Sequence, residues 1–259
     1  VRALPAPTSA AVQRAGCGKR RFHGGAARCL AKLRVPDPVG EDLADIPNVL
    51  NAIRADWRGG GSLNRLTAWN FGKQLKARLR RKEEAATRTT STSENTGLPV
   101  DVLVTGCEVS LWLGEQFAAD LAMCFKKLCV RTISANKVLG LLGQKFPVPQ
   151  FGHQFAEDDW DLRDTLVFII SHSGGTFAPL AVSNLMQSFT TRLFVVTSEW
   201  DTQIGKQLRS LESGLMESRV FSTDIGVRPA EPCSVSVVAT HFLLTLLLEH
   251  VAMTILPNP

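Results

Sequence analysis

The sequence lacks the features that would assign it to several specialised classes of protein. Its six cysteines are few for 259 residues and include no CxxC pair, so they predict neither a disulfide-stapled domain nor a structural zinc site. No run of about 18 uninterrupted apolar residues occurs, so no membrane span is predicted. The P-loop motif GxxxxGKS/T is also missing. We therefore expect reduced thiols, no metal and no cofactor.

Acidic residues are missing from the first 36 positions, which carry eight arginines and lysines. The rest of the chain holds 21 basic side chains against 24 acidic ones, so the net charge of +5 belongs to this leader. Its composition predicts a disordered segment that resembles an organellar transit peptide, with a plain disordered tail as the alternative. We expect a cytoplasmic protein, or an organellar one if the leader is a transit peptide. The basic residues lie outside the expected fold without interleaved aromatics, so no nucleic-acid partner is predicted.

Two helices are predicted before the main domain. Residues 41–57 carry apolar side chains at helical spacing, and the three glycines at 59–61 end that helix. Ser62 is placed to cap a second helix, which runs to about residue 84. The polar stretch 87–95 has no apolar period and predicts a linker. The sequence thus divides into a leader (1–36), a helical extension with its linker (37–97) and a main domain (98–257).

Five short apolar runs predict the strands of the main domain: Val100–Thr105, Cys129–Ser134, Thr165–Ser171, Arg192–Ser198 and Arg219–Thr223. The intervals between them leave room for crossover helices, and the first four runs are apolar enough to be buried on both faces. We therefore predict an α/β fold, a three-layer sandwich with a five-stranded parallel sheet flanked by helices. The last apolar segment, 234–256, predicts a packed core helix that contains His241.

Hydroxyl side chains cluster directly after the third predicted strand. The loop Ser171-His172-Ser173-Gly174-Gly175-Thr176 offers three hydroxyls, two glycines and the free N–H groups of the helix that follows. Such groups together form a cradle for an anion. Because the loop has no lysine or arginine, we expect a single phosphate monoester and not a nucleotide. The alternative is a serine-rich turn whose hydroxyls only cap the helix.

A second candidate segment follows the first predicted strand. The turn Thr105–Ser110 leads into an apolar helix, and ligands of parallel sheets bind at the carboxyl ends of the strands. We expect Ser110 at the start of that helix, close to the point where the strand order reverses. A plain N-cap is the alternative role for this serine.

These segments carry a resemblance to a known family. SHSGGT resembles the SxSGxT phosphate-binding signature of the SIS (sugar isomerase) domain, and GCEVS is similar to the first turn of that domain. VVTSEWDTQIGKQL resembles the exit of its fourth strand. AEPCSVS and EDLADIPNVLNAI resemble segments in and before the first SIS half of the isomerase module of glucosamine-6-phosphate synthase. The resemblance covers about residues 38–257 and implies a flavodoxin-like fold.

The resemblance also implies a sugar-phosphate ligand and a role for each matching residue. The phosphate would be held by Ser171, His172, Ser173, Gly174 and Thr176, with His172 contributing its backbone N–H. Ser110 and Ser236 would face the sugar. Two departures from the family pattern lie at the first turn, where Glu108 replaces a glycine and Val109 a threonine. They remove a hydroxyl and bring a carboxylate close to an anion site.

The sequence leaves the question of catalysis open. Aldose–ketose isomerisation needs a base and supporting acids, and the candidates are Glu231, Glu108 and His241. Glu231 can equally serve the dipole of a helix start, and His241 can be a core histidine. In the synthase family, the remaining groups come from a second SIS half or a neighbouring subunit. Three interpretations follow: a sugar-phosphate-binding part of a larger isomerase-like assembly, a homodimeric isomerase, or a non-enzymatic sensor or interaction module.

Overall fold

The computed structural model describes residues 37–87, 98–142, 160–162, 164–226, 228 and 235–256. The predicted leader, residues 88–95 of the predicted linker and Glu231 lie outside the described residues. The helices are α1 (Pro38–Arg58), α2 (Leu63–Thr87), α3 (Val109–Cys124), α4 (Ala135–Leu142), α5 (Phe177–Met186), α6 (Gln203–Arg209) and α7 (Val235–Ile255). The strands are β1 (Leu98–Pro99), β2 (Val102–Gly106), β3 (Val130–Ser134), β4 (Trp160–Asp161), β5 (Leu166–Ile170), β6 (Leu193–Thr197) and β7 (Val220–Ser222).

Five of the strands form one parallel sheet in the order β3-β2-β5-β6-β7. In the register of this sheet, Val102 lies opposite Val130 on one side and opposite Leu166 on the other. β1 and β4 form a separate, short parallel pair. Helices cover both faces of the larger sheet, which confirms the predicted three-layer α/β fold. This strand order is the flavodoxin-like one. The direction in which successive strands are added to the sheet reverses between β2 and β5.

The predicted strands agree with the observed ones to within about two residues, and four of the five runs are buried by the layers around them. β2, β5 and β6 are buried along their whole length. β3 differs, since its side chains are exposed or only partly buried. The expected burial on both faces is therefore wrong for this strand, which lies at the edge of the sheet with β2 as its neighbour.

Alternate side chains of the central strands enter two apolar cores. On one face, Phe168 and Phe194 pack against Phe71 of α2, with ring centroids 5.4 and 5.2 Å apart. Helices α1, α3 and α7 complete this core. On the other face, Val167 and Val195 pack beneath α4, α5 and α6. Because α1 and α2 share a core with the sheet, Pro38–Pro259 form one compact unit.

A buried carboxylate holds α2 against the amino end of the sheet. Asp101 is fully buried and accepts hydrogen bonds from the guanidinium of Arg78 (2.6 Å) and the backbone N–H of Cys129 (2.6 Å). Lys82 forms a second ion pair with the same carboxylate. A buried charge is tolerated only when its partners stay in place. These contacts therefore fix α2 at the amino ends of the strands.

Helix α7 is long and apolar enough to cross a membrane by length and composition alone. This is weak evidence for a span, since a core helix of a soluble protein passes the same test. Here α7 packs against α1, α2 and α3, and it buries Leu243, Leu247 and Val251. Its apolar character therefore has an explanation in the packing of the domain.

Candidate functional site

A cavity of about 380 Å³ opens at the carboxyl ends of β2 and β5. These strands are neighbours at the point where the strand order reverses, which is where open parallel sheets bind their ligands. One wall is the segment Cys107–Ser110, which comprises the turn after β2 and the first residues of α3. The opposite wall is the loop after β5 together with the first residues of α5. Asn136 of α4 and Val237 of α7 complete the lining.

The loop after β5 owes its shape to Gly174. This residue has a φ of +61°, and its N–H donates to the carbonyl of Ser171 (3.0 Å), which closes a tight turn. Its own carbonyl accepts from the N–H of Ile204 at the start of α6 (2.9 Å). A Cβ atom at this position would lie 2.3 Å from the Cβ of Thr202. Both the backbone angle and the lack of space therefore require glycine.

Contacts from β6 hold the middle of the same loop. The carbonyl of His172 accepts a hydrogen bond from the backbone N–H of Ser198 (2.8 Å) and another from the hydroxyl of Thr197 (3.1 Å). The hydroxyl of Thr197 also bonds that of Thr202 (3.0 Å), the residue that caps α6. The loop is thus fixed at the carboxyl end of β5 and is suited to hold a ligand in one position.

Two hydroxyls of the loop face each other at the start of α5. Ser173 Oγ and Thr176 Oγ1 lie 3.0 Å apart, and both residues are exposed and line the cavity. Thr176 occupies the N-cap position of α5, yet its side chain accepts no capping hydrogen bond. The alternative in which these hydroxyls only cap the helix is therefore not supported for Thr176. The first N–H groups of a helix lack partners within the helix and favour an anion nearby.

The turn after β2 brings backbone and charge to the other wall. A Cβ on Gly106 would lie 2.9 Å from the carbonyl oxygen of Ile170, so this glycine allows the turn to approach β5 closely. Glu108 is the N-cap residue of α3, with φ 48° and ψ −121°. Ser110 lies within the first turn of α3 and lines the cavity, so its alternative role as the N-cap is wrong.

The charges around the cavity are uneven. Among the described residues that line it, Glu108 is the one carboxylate, and none is lysine or arginine. Burial, and next the negative charge of Glu108, raise the pKa of the Cys107 thiol, whereas a hydrogen bond from the backbone of Asn136 lowers it. No group of three or more histidine, cysteine or acidic side chains that could hold a metal occurs within the described part of the chain.

The structure brings most of the predicted site residues together. Gly174 shapes the loop beneath the cavity. Six other predicted residues line the cavity: Glu108, Ser110, Ser171, His172, Ser173 and Thr176. Ser236 is buried in the first turn of α7 and is not among the lining residues, although its neighbour Val237 is. His241 is exposed, so the expected core histidine is wrong, and it does not line the cavity either. Glu231 lies outside the described residues.

Sequence reasoning missed several residues of the lining, among them Asn136 and Phe177. Asn136 lies two positions after the end of β3. Because ligands of parallel sheets bind at the carboxyl ends of the strands, this position could have predicted its place in the site. Phe177 begins α5 and is 77% exposed at the cavity. Nothing in the sequence distinguishes this phenylalanine from those of the core.

No protein-family model matches the sequence, and no curated protein matches it. Solved structures share its fold. One is a proposed phosphosugar isomerase from Silicibacter pomeroyi DSS-3, with 12% identity and a TM-score of 0.52 over 84% of this chain and 51% of that one. Another is a hypothetical protein from Methanococcus jannaschii, with an inferred function of 3-hexulose-6-phosphate isomerase. It has 12% identity and a TM-score of 0.50 over 84% of this chain and 93% of that one.

The chain spans about half the length of the Silicibacter protein and nearly all of the Methanococcus protein. At these identities, the similarity establishes the fold alone, which this chain shares with both structures. The expectation of a flavodoxin-like fold with a five-stranded parallel sheet is confirmed. The closer resemblance to the first half of the glucosamine-6-phosphate synthase module stays a prediction.

Proposed function

We propose that this protein binds a sugar phosphate, with the phosphoryl group in the loop Ser171–Thr176 and the sugar in the adjoining cavity. The observation that carries the proposal is the pair of hydroxyls of Ser173 and Thr176, 3.0 Å apart at the start of α5. The hydroxyl of Thr176 accepts no capping hydrogen bond from the helix, and both residues line the cavity. Backbone N–H groups at the helix start add the positive end of the helix dipole.

The size and chemistry of the cavity support a ligand of this class. Its volume of about 380 Å³ falls within the range of small-molecule sites, roughly 300–1,000 Å³. Opposite the phosphate loop, the hydroxyl of Ser110 and the amide of Asn136 can bond to sugar hydroxyls. A nucleoside di- or triphosphate is disfavoured because the described lining offers no lysine or arginine for additional phosphates.

The chemistry within this chain supports binding more strongly than complete catalysis. Isomerisation requires a base that moves a proton between neighbouring carbons, and Glu108 is the one carboxylate of the described lining. We propose that any isomerase activity is completed by a second copy of the chain. Phe177 and Trp112 are 77% and 65% exposed on the helices that begin at the cavity, and exposed aromatic rings are typical of interfaces. A monomeric protein with full isomerase activity would contradict this part of the proposal.

Thermal unfolding with and without ligand tests the binding proposal. Fructose 6-phosphate at about 100 times its dissociation constant should stabilise the protein by ~2.7 kcal/mol, whereas fructose at the same concentration should not. Ser173→Ala should abolish most of the shift. Ser188→Ala is the matched control, since Ser188 follows the opposite end of α5 and is exposed. If Ser173→Ala keeps the full shift, the phosphate is not bound by this loop.

A further inference from the structure

Glu108 has a backbone conformation that suits glycine. Its φ of 48° with ψ of −121° lies in a region that residues with a Cβ adopt only at an energetic cost. Such conformations persist where the surrounding structure enforces them, and they occur often at functional sites. The cost at Glu108 therefore raises the question of what its side chain contributes.

The described contacts give the carboxylate of Glu108 no structural role. It occupies the N-cap position of α3, but it forms no capping hydrogen bond. The side chain is exposed, and the described residues offer it no ion-pair partner. Only its backbone carbonyl takes part in the helix, by accepting from the N–H of Trp112 (3.1 Å). Its function is thus to be sought in the cavity that it lines.

The cavity combines opposite electrostatic preferences on its two walls. The wall with Ser173 and Thr176 offers hydroxyls and the N-terminus of α5, which favour an anion. The wall with Glu108 offers a negative charge that no lysine or arginine of the described lining balances. A ligand with phosphate alone would leave this carboxylate without a partner. A ligand that also carries an ammonium group would complement both walls at once.

We propose that Glu108 is a specificity-determining residue that selects phosphate esters bearing an ammonium group, such as an amino sugar phosphate, over neutral sugar phosphates. This inference rests on the proposed function, because it assumes that the phosphate occupies the loop Ser171–Thr176. Glu108 lines the cavity beside Cys107, and burial, followed by the charge of Glu108, raises the pKa of the Cys107 thiol.

Calorimetric titration with three probes of similar size tests the selection: glucosamine 6-phosphate, glucose 6-phosphate and N-acetylglucosamine 6-phosphate. Wild-type protein should bind glucosamine 6-phosphate about fivefold more tightly than glucose 6-phosphate, the expected effect of one partly exposed ion pair. The N-acetyl compound, which lacks the positive charge, should have no such advantage. Glu108→Gln should remove the preference, so that glucosamine 6-phosphate and glucose 6-phosphate bind about equally tightly.

Two further variants keep the test decisive. Glu108→Gly suits the backbone angle and removes the carboxylate, so it should lose the preference even if the glutamine variant folds poorly. Glu115→Gln is the control, because Glu115 is an exposed carboxylate of the same helix that does not line the cavity, and it should keep the preference. Equal binding of all three probes would overturn the selection by Glu108 while the proposed function stands. Binding of none of them would overturn the proposed function itself.

Discussion

Gly174→Ala is expected to damage both the stability of the domain and its binding of phosphate. The new methyl group would lie 2.3 Å from Cβ and 2.5 Å from Oγ1 of Thr202, and 2.7 Å from Oγ1 of Thr197. Two of these atoms form the hydroxyl pair that joins β6 to α6 (3.0 Å). The substitution therefore cannot be accommodated by a small rotation of one surface side chain.

The expected loss of stability has two sources. Placing alanine at a φ of +61° costs roughly 1 kcal/mol. Displacing Thr202 breaks its bond with Thr197 and the cap in which it accepts the N–H of Gly205 (3.3 Å), at ~1 kcal/mol for each contact. We expect a decrease of about 3 kcal/mol in the free energy of unfolding, a large share of the ~5–15 kcal/mol typical of a domain.

Urea denaturation followed by tryptophan fluorescence measures this decrease. Gly175→Ala provides the matched control, because its nearest atoms would be 3.9 Å away and its φ is not positive. We expect that variant to stay within ~0.5 kcal/mol of the wild type. The phosphate-induced thermal shift should be lost in Gly174→Ala and retained in Gly175→Ala. Equal stability of the two variants would refute the explanation based on the crowded, left-handed backbone at residue 174.

Two other expectations concern groups far from the cavity. Asp101→Asn leaves Arg78 and Lys82 without their buried carboxylate and should lower the free energy of unfolding by about 3 kcal/mol. Asp164→Asn breaks exposed ion pairs and should change the free energy of unfolding by less than ~1 kcal/mol. Burial, and next the charge of Arg65, lower the pKa of His250 from its ordinary 6.5. The unfolded chain therefore takes up a proton on His250 more readily than the folded chain does, so the free energy of unfolding should fall as the pH drops below 6.5. His250→Phe can keep the edge contact with Trp57 and should reduce this loss of stability. Melting curves at pH 7.5 and 5.5 measure the difference. An unchanged pH dependence in His250→Phe, or equal losses in the two aspartate variants, would contradict these assignments.

The sheet could be predicted because its central strands are short runs of β-branched and aromatic residues that both layers of helices bury. The position of β3 at the edge could not, since the order of strands depends on crossover connections and not on local sequence. The outward orientation of His241 was missed for a related reason. Helix α7 is apolar nearly all round, so its sequence does not reveal which side faces solvent.

The loop after β5 was predictable because its hydroxyls and glycines are contiguous in the sequence. The opposite wall depends on tertiary structure, where Asn136 and Val237 reach the same cavity from helices about a hundred residues apart. The conformation of Glu108 could not be predicted either, because a glutamate gives no local signal for a positive φ. Only the resemblance, which places a glycine there, pointed to that position.

The anchoring of His172 by β6 has a consequence for how this protein can vary over evolutionary time. The carbonyl at position 172 is held by Thr197 and Ser198, which never touch the cavity. A substitution of Thr197 in the neighbouring strand β6 can therefore reshape the ligand-facing loop although the loop itself is unaltered. Because the donor at position 198 and the acceptor at position 172 both belong to the backbone, Thr197 is the position at which a side-chain exchange would loosen the loop.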